Sequence, residues 1–221
     1  MNFSDYYMRA AIYEPSFFEN REFAVIRKGA MMWRHLSFKN IEKLRAFLIE
    51  YAPEHVYFSS AKYTYPELDM QTKRKYWMGS DLIFDIDYDK LKIQTLEEAK
   101  TQSLKLIKIL QKDFGFEKLL YVFSGNRGYH VHVQDACIQK CGNAERREIA
   151  DYFCETLPWK DKGEEMNDKY VGIDAPVTCD ISRLIRLPGS IHGGSGKVCE
   201  IIPIESPRFS RSANIFFKGR E

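Results

Sequence analysis

The sequence predicts an α/β or α+β fold in which helices pack on the faces of a central mixed β-sheet. Strand-like segments alternate along the chain with segments of helical periodicity. The 221 residues are 44% hydrophobic, which is enough for a sizeable core, and the 13 Tyr and 15 Phe argue against a disordered chain. No convincing boundary divides the sequence. We therefore expect one domain over residues 1–221, with a small subdomain or a shortened insertion around 136–170.

The N-terminal part of the chain contains two predicted helices. Residues 1–30 are rich in aromatic side chains and are expected to begin with a helix. Asn40 can cap a helix over 41–51, where apolar residues recur at helical spacing. Pro53 ends that helix, because a proline disfavours the helical conformation of the residue before it.

Two strands and a long helix are predicted next. Residues 55–63 alternate between polar and apolar side chains as a strand does, and 81–87 is an apolar run of strand length. Thr95 and Glu98 have the spacing of a capping box, which predicts that a helix begins there and extends over 96–114.

The second half of the chain continues this alternation. Strands are predicted over 118–123 and 129–134, with a glycine-containing turn between them at 124–128. A helix over 143–157, an ambiguous segment at 180–187 and a final strand over 197–204 follow. The loop at 158–170, with charged residues over 159–167, is the best place for a subdomain edge or a deletion.

Charge and hydropathy exclude several classes of protein. The net charge is only +2, from 33 basic and 31 acidic residues, so any nucleic-acid site must come from local clustering. No apolar stretch reaches the ~20 residues of a membrane span, and the N-terminus lacks the pattern of a signal peptide. We expect an intracellular protein with no membrane partner.

The five cysteines are odd in number and scattered, which is typical of reduced, intracellular thiols. Cys137 and Cys141 have the spacing of half a zinc site, but no matching Cys or His pair follows closely. We favour buried or surface thiols at these positions.

Two acids mark the end of the strand predicted over 81–87. Side chains alternate between the faces of a strand, so Asp85 and Asp87 point the same way. Two carboxylates on one face repel each other unless a cation lies between them. Hard oxygen ligands suit Mg²⁺ or Mn²⁺. An Asp-x-Asp pair is also common among solvated turn residues, so the pair alone leaves the metal site open.

The turn at 124–130 carries groups that can hold a polyphosphate. Its glycines allow close approach of a ligand, and Ser124, Arg127 and His130 supply a hydroxyl, a guanidinium and a ring N–H. An ordinary hairpin with a solvated arginine is the alternative. His130 and His132 share a strand face and can form a two-histidine metal site. We favour His130 as a single functional histidine and His132 as a packed strand residue.

A third cluster lies at 180–192. Asp180 can complete a three-carboxylate site, and Arg186 and His192, on either side of a Pro-Gly turn, can bind phosphate. A cationic surface segment with a turn is the alternative. Together, the three clusters supply what nucleotidyl transfer requires: acids for two divalent cations, which activate a 3′-hydroxyl, and basic groups for the triphosphate.

The order of these clusters, and their residues and spacings, resemble the motifs of the catalytic small subunit of archaeal and eukaryotic DNA primases. That family carries an apolar strand ending in Asp-x-Asp, then Ser-Gly-x-x-Gly-x-His, then an Asp followed by a Lys or Arg and Pro-x-Ser-x-His. All three occur here in that order, at 85–87, 124–130 and 180–192. Weaker similarities at 21–23 and 77–82 extend the resemblance over about residues 20 to 205.

The resemblance implies a role for each matched residue. Three acids would bind Mg²⁺ or Mn²⁺, and five other residues would bind the incoming triphosphate. The implied metal ligands are Asp85, Asp87 and Asp180, and the implied triphosphate ligands are Ser124, Arg127, His130, Arg186 and His192. Asn126 stands where some relatives have a second Arg. The family usually has a zinc-binding insertion, but 88–123 contains no Cys or His, so we predict no zinc there.

The resemblance also implies partners and an activity. We expect de novo synthesis of short primers on a single-stranded DNA template from nucleoside triphosphates, with a primase large subunit as a separate chain or a fused domain. The compartment would be the cytoplasm for an archaeal-type protein and the nucleus for a eukaryotic one. A metal-dependent nucleotide hydrolase or nuclease, a repair-type primase-polymerase and a degenerate nucleotide-binding scaffold are the alternatives.

Overall fold

A computed structural model of the chain describes residues 2–88, 93–153 and 168–204. These residues form five α-helices and ten β-strands. The helices are α1 Phe3–Arg9, α2 Ile41–Tyr51, α3 Leu96–Lys112, α4 Asn143–Asp151 and α5 Ala175–Cys179. The strands are β1 Phe23–Ile26, β2 Trp33–Leu36, β3 His55–Ser59, β4 Ala61–Tyr63, β5 Trp77–Ser80, β6 Leu82–Asp87, β7 Leu119–Phe123, β8 Gly128–Val133, β9 Leu184–Arg186 and β10 Glu200–Ile201.

The strands form three sheets, with the orders β2-β1-β3-β9, β10-β7-β8-β6 and β4-β5. Every strand pair in the described residues is antiparallel. The predicted α/β or α+β class with flanking helices is confirmed, but these antiparallel sheets replace the single mixed sheet. The reason is that the return strand β8 of the β7–β8 hairpin inserts beside β6 and separates the parallel strands β6 and β7.

Strand β6 contributes to two hydrophobic cores. Leu82, Phe84 and Ile86 pack in a core that joins α3 to β6, β7 and β8, which we call the helix-side core. Ile83, on the opposite face, packs in a core that joins α1 and α2 to β1 and β3, which we call the N-terminal core. One strand therefore contributes side chains to both cores, and the single domain over residues 1–221 stays a prediction.

Side-chain caps fix the starts of the helices. Helix α2 spans the residues predicted for it, and the Asn40 side chain accepts the Lys43 N–H. Helix α3 begins as predicted, with the Thr95 hydroxyl accepting the Glu98 N–H, but ends two residues early at Lys112. The Glu98 carboxylate accepts the Gln94 N–H and not the N–H that a full capping box would use.

Several predicted segments differ from the structure. The single strand predicted over 55–63 is two strands, β3 and β4, in different sheets. The break is at Ser60, whose N–H donates to the Arg183 carbonyl. Strands β1, β2 and β5 and helix α5 were not predicted. The helix predicted over 143–157 ends at Asp151, and the strand predicted over 197–204 is reduced to Glu200–Ile201. The predicted loop at 159–167, within the possible subdomain, lies outside the described residues.

No helix in the described part of the chain is long and apolar enough to cross a membrane. Four cysteines are described, and all are free thiols; Cys154 lies outside the described residues. Cys141 Sγ donates to the Cys137 carbonyl, 3.9 Å away. Among the described residues, this cysteine pair belongs to no group of three or more His, Cys, Asp or Glu side chains that could hold a metal ion.

A buried ion pair lies where the chain passes from β5 into β6. Asp81 is inaccessible to solvent, and its carboxylate accepts from the equally buried Arg21 guanidinium at 2.7 Å and from Lys62 Nζ at 3.2 Å. Burial raises the pKa of Asp81, but the charges of Arg21 and Lys62 outweigh burial and bring the pKa below its ordinary value. Arg21 also donates to the Ser59 and Ser60 carbonyls, so the pair ties β3 to the start of β6.

We predict that Asp81→Asn destabilises the fold by about 3 kcal/mol, because it leaves the buried Arg21 without a counter-charge. Urea unfolding measures the change in the free energy of unfolding. The control is Asp151→Asn, which breaks the surface ion pair with Arg147, where the separation is 2.7 Å; it should change stability by less than about 1 kcal/mol. Equal effects of the two changes would contradict this role for Asp81.

Candidate active site

Seven of the eight predicted site residues meet in one cleft of about 180 Å³. They come from β6, from the turn between β7 and β8, from β8, from β9 and from the segment after β9. The seven residues are Asp85, Asp87, Ser124, Arg127, His130, Arg186 and His192. Asn126, which stands where some relatives have an Arg, also lines the cleft, and Asp180 does not.

The two acids lie on one face of β6, as the alternation of a strand requires. In the antiparallel pairing of β6 with β8, Asp85 lies opposite His130 and Asp87 lies opposite Gly128. His130 Nε2 lies 3.6 Å from Asp85 Oδ1. Burial and the charges of Arg186 and Arg183 lower the pKa of His130 to about 3, so its ring is neutral at ordinary pH.

The turn between β7 and β8 is closed by Ser124 and Gly128. The Ser124 N–H donates to the Gly128 carbonyl at 2.9 Å, and the Ser124 hydroxyl accepts the Gly128 N–H at 3.2 Å. Gly125 has a φ of +82°, which favours glycine. The Tyr88 N–H donates to the Arg127 carbonyl at 3.0 Å, so the turn is also tied to the end of β6 that carries the acids.

Strand β9 carries Arg186 into the cleft beside β3. Arg186 pairs with Tyr57 across the two strands, and its guanidinium contacts His55 Nδ1 at 2.9 Å and Tyr57 Oη at 3.2 Å. Sequence reasoning missed His55 and Tyr57. The alternation of a strand predicts that residues 55 and 57 share one face. The sequence near them does not indicate which strand pairs with theirs, and so does not connect them to Arg186.

His192 follows the Pro188–Gly189 turn and presents a defined tautomer. Its Nδ1 accepts the Ser195 N–H at 3.1 Å, so the proton of the neutral ring is on Nε2. Burial, followed by the charge of Arg186, lowers the pKa of His192 to about 4. The His192 side chain can therefore donate one N–H without adding charge.

The N-terminal segment supports the turn before His192. The Tyr13 N–H donates to the Pro188 carbonyl at 3.0 Å, and the Tyr6 hydroxyl donates to the Gly189 carbonyl at 2.8 Å. Gly189 has a φ of +85°, and a Cβ there would lie 2.2 Å from the Ala11 carbonyl oxygen. The close approach of these two segments therefore requires glycine at this position.

The structure does not bring Asp180 to the other acids. Asp180 Oδ1 accepts both the N–H and the hydroxyl of Ser182 at 2.8 Å, which closes a local turn after α5. Asp174, at the other end of α5, is the acid beside β6, because its N–H donates to the Asp85 carbonyl at 2.9 Å. The metal role of Asp180 stays a prediction that the arrangement of the described residues does not support.

His132 lies deeper than the cleft. Its side chain is inaccessible to solvent and its ring stacks on Phe58, with centroids 6.0 Å apart. Burial lowers the pKa of His132 to about 3. This packing agrees with the interpretation of His132 as a packed strand residue.

Comparison with known proteins identifies the family. Residues 84–204 match the family model of the DNA primase small subunit. The chain is 36% identical to a protein from Archaeoglobus fulgidus named DNA primase small subunit PriS, over 92% of this chain and 79% of that protein. The chain belongs to the DNA primase small subunit family. The resemblance inferred from the sequence is thereby confirmed, and the chain is a nucleotidyltransferase of the primase class.

Other relatives of this primase-family chain agree. Proteins of the same name from Pyrobaculum calidifontis and Saccharolobus solfataricus are 37% and 36% identical to it. The alignments cover 89% and 91% of this chain and 75% of each relative. A solved polymerase domain of Mycobacterium tuberculosis ligase D, in complex with DNA, superposes with a TM-score of 0.63 over 91% of this chain and 79% of that domain. At 14% identity, that likeness shows the fold alone.

We predict that Gly128→Ala in this primase-family chain destabilises the fold by about 2 kcal/mol and displaces Asp87. A Cβ at residue 128 would lie 2.0 Å from the Ile86 carbonyl oxygen and 2.5 Å from Asp87 Oδ1, so β6 and β8 must separate there. Thermal or urea unfolding measures the loss. In the control, Gly142→Ala, the nearest atom is a flexible Glu145 oxygen at 3.2 Å, and the loss should stay below about 1 kcal/mol, the scale of placing alanine at this helix N-cap. A Gly128→Ala variant as stable as Gly142→Ala would contradict the prediction and show that β6 can move away from β8 at little cost.

Proposed function

We propose that this chain starts primers on a single-stranded DNA template by joining nucleoside triphosphates. One observation carries the proposal: the three clusters that are far apart in the sequence line one cleft. Acids from β6 meet polyphosphate donors from the turn at 124–128, from β8, from β9 and from the segment after β9. A nucleotidyltransferase needs both sets of groups within reach of one triphosphate.

Divalent-metal dependence is general to this enzyme family, and the acids fit such an ion. Asp85 and Asp87 offer hard oxygen donors on one strand face, which suits Mg²⁺ or Mn²⁺. Asp174 is the better candidate for a third acid, because its N–H is bonded to the Asp85 carbonyl. When bound there, two divalent cations supply the Lewis acidity that activates a 3′-hydroxyl and neutralises the leaving pyrophosphate.

The remaining cleft residues are proposed to bind the triphosphate. Arg127 and Arg186 supply forked, permanently charged donors. His130 and His192 supply neutral N–H donors, and the hydroxyl of Ser124 remains a donor while it accepts the Gly128 N–H. Burial is the main cause of the lowered pKa values of both histidines, and the charge of Arg186 contributes to both. The charges of Arg186 and Arg127 favour a polyanion.

The proposed partners follow from this chemistry. They are the single-stranded DNA template, nucleoside triphosphates and a primase large subunit, either as a separate chain or as a fused domain. The net charge of only +2 limits non-specific attraction to DNA. We therefore propose that tight template binding depends on the large subunit.

Incubation with a single-stranded template, labelled nucleoside triphosphates and Mn²⁺ tests the function. The reactions are run with and without a primer. Template-dependent oligomers that form without a primer are the expected result. Extension that requires a primer would indicate a repair-type primase-polymerase. Mono- or diphosphates would indicate a hydrolase, and no turnover would indicate a scaffold.

We predict that Asp87→Asn and Asp174→Asn abolish nucleotide addition, because an amide is nearly the size of a carboxylate but binds divalent cations poorly. Stability should change little, or rise for Asp87→Asn as like charges are relieved. Single-nucleotide extension of a labelled primer measures the activity, and circular dichroism verifies the fold.

The matched control for these acids is Asp180→Asn, which changes the acid at the opposite end of α5. Asp180→Asn should retain activity within about threefold, because its carboxylate bonds Ser182 and does not line the cleft. Loss of activity in Asp180→Asn with retention in Asp174→Asn would favour the ligand set implied by the sequence resemblance instead.

We predict that Arg127→Ala and His192→Ala raise the KM for the nucleotide about tenfold or more, because each removes a donor to a charged oxygen. A fall in kcat is expected as well, since charge builds on the leaving pyrophosphate. Template affinity, measured by fluorescence anisotropy, should survive both changes. Lys43→Ala, an exposed change on α2, controls for loss of a positive charge. Unchanged nucleotide kinetics would mean that Arg127 is only an exposed hairpin residue, that His192 is only a turn residue, and that neither binds the nucleotide.

A further inference from the structure

Arg186 is held by side chains that belong to a distant strand. The residue is 9% exposed, and its guanidinium lies 4.9 Å from the centre of the Tyr57 ring. One terminal nitrogen bonds His55 Nδ1 at 2.9 Å and the other bonds the Tyr57 hydroxyl at 3.2 Å. A free arginine side chain samples many rotamers, so these contacts restrict the direction in which its remaining N–H groups point.

His55 can accept this hydrogen bond only as a neutral ring with its proton on Nε2. Burial, followed by the charge of Arg186, lowers the pKa of His55 and keeps the ring neutral. The His192 ring meets the His55 ring edge-on, with centroids 5.0 Å apart. At Gly193, a Cβ would lie 3.1 Å from His55 Nε2, so the chain after His192 also packs on His55.

We propose that His55 and Tyr57 are positioning residues that orient Arg186, and through it one side of the triphosphate site. The proposal rests on the triphosphate-binding function proposed above for Arg186. Neither residue needs to touch the nucleotide: His55 accepts one N–H and Tyr57 accepts another, and the rest of the fork faces the cleft. A lysine in place of Arg186 could not make both contacts and still present a planar pair of donors.

Steady-state kinetics of primer extension on the whole chain, with a single-stranded template and Mn²⁺, test the proposal. We expect His55→Leu to raise the KM for the nucleoside triphosphate about tenfold and Tyr57→Phe about threefold, with kcat within about twofold. His55→Asn should restore a KM within about twofold of the original, because the amide oxygen can stand where Nδ1 stands and accept from Arg186. Tyr121→Phe, which loses a hydroxyl bonded to Ser103 at 2.7 Å in the helix-side core, controls for a lost buried tyrosine hydroxyl and should leave KM unchanged.

A double-variant comparison separates positioning from packing. If His55 acts through the guanidinium, His55→Leu should add nothing to the KM of Arg186→Ala. If the effects of His55→Leu and Arg186→Ala on KM are additive, the positioning role is overturned. It is also overturned if Arg186→Ala raises KM while His55→Leu and Tyr57→Phe both leave KM unchanged. An unchanged KM in Arg186→Ala overturns the proposed triphosphate function of Arg186 and this inference with it. If His55→Leu does not fold, Tyr57→Phe and His55→Asn decide by the same measures.

Discussion

The cleft depends on the buried junction around Asp81, because this residue directly precedes β6 and its contacts fix the start of the strand that carries the acids. Arg21 and Lys62 neutralise the Asp81 carboxylate, and the Gln139 amide donates to it at 3.1 Å. The Arg146 guanidinium binds the carbonyls of Ser80 and Asp81 at 2.8 and 2.9 Å. A buried charge is unfavourable unless it is hydrogen-bonded, so moving the strands that meet here would leave buried cations without the carboxylate and carbonyl oxygens that now satisfy them.

From that junction, alternation along β6 places each side chain. Even-numbered residues enter the helix-side core and Ile83 enters the N-terminal core, so a slip of one residue would bury the acids beneath α3. The direct pairing of Asp85 with His130 and of Asp87 with Gly128 then brings the turn at 124–128 against the acids. The geometry of the cleft is thus a consequence of strand register, and the register follows from the apolar pattern on both faces.

The features that the sequence predicted are the local ones. Asn40 and Thr95 mark helix starts because a cap is a contact between near neighbours, and Asp85 shares a face with Asp87 because strands alternate. The missed features join distant residues: Arg186 to His55, 131 residues apart, and Arg21 to Asp81, 60 apart. The sequence indicated Asp180 as the third acid from its place in the third cluster and did not indicate Asp174, which only the contact between α5 and β6 brings beside Asp85. The weak similarities at 21–23 and 77–82 contain both partners of the buried ion pair, which the sequence alone could not join.

The neutral histidines resolve a conflict of charge in the cleft. A triphosphate requires positive donors, whereas a divalent cation at Asp85 and Asp87 would be repelled by them. Arg127, Arg183 and Arg186 supply fixed positive charge, and burial lowers the pKa values of His130 and His192 so that their rings donate N–H groups without adding more. His130 lies beside Asp85, where a protonated ring would compete most directly with a cation. In the proposed function, burial of the imidazoles would therefore allow one small cleft to bind both the divalent cations and the triphosphate.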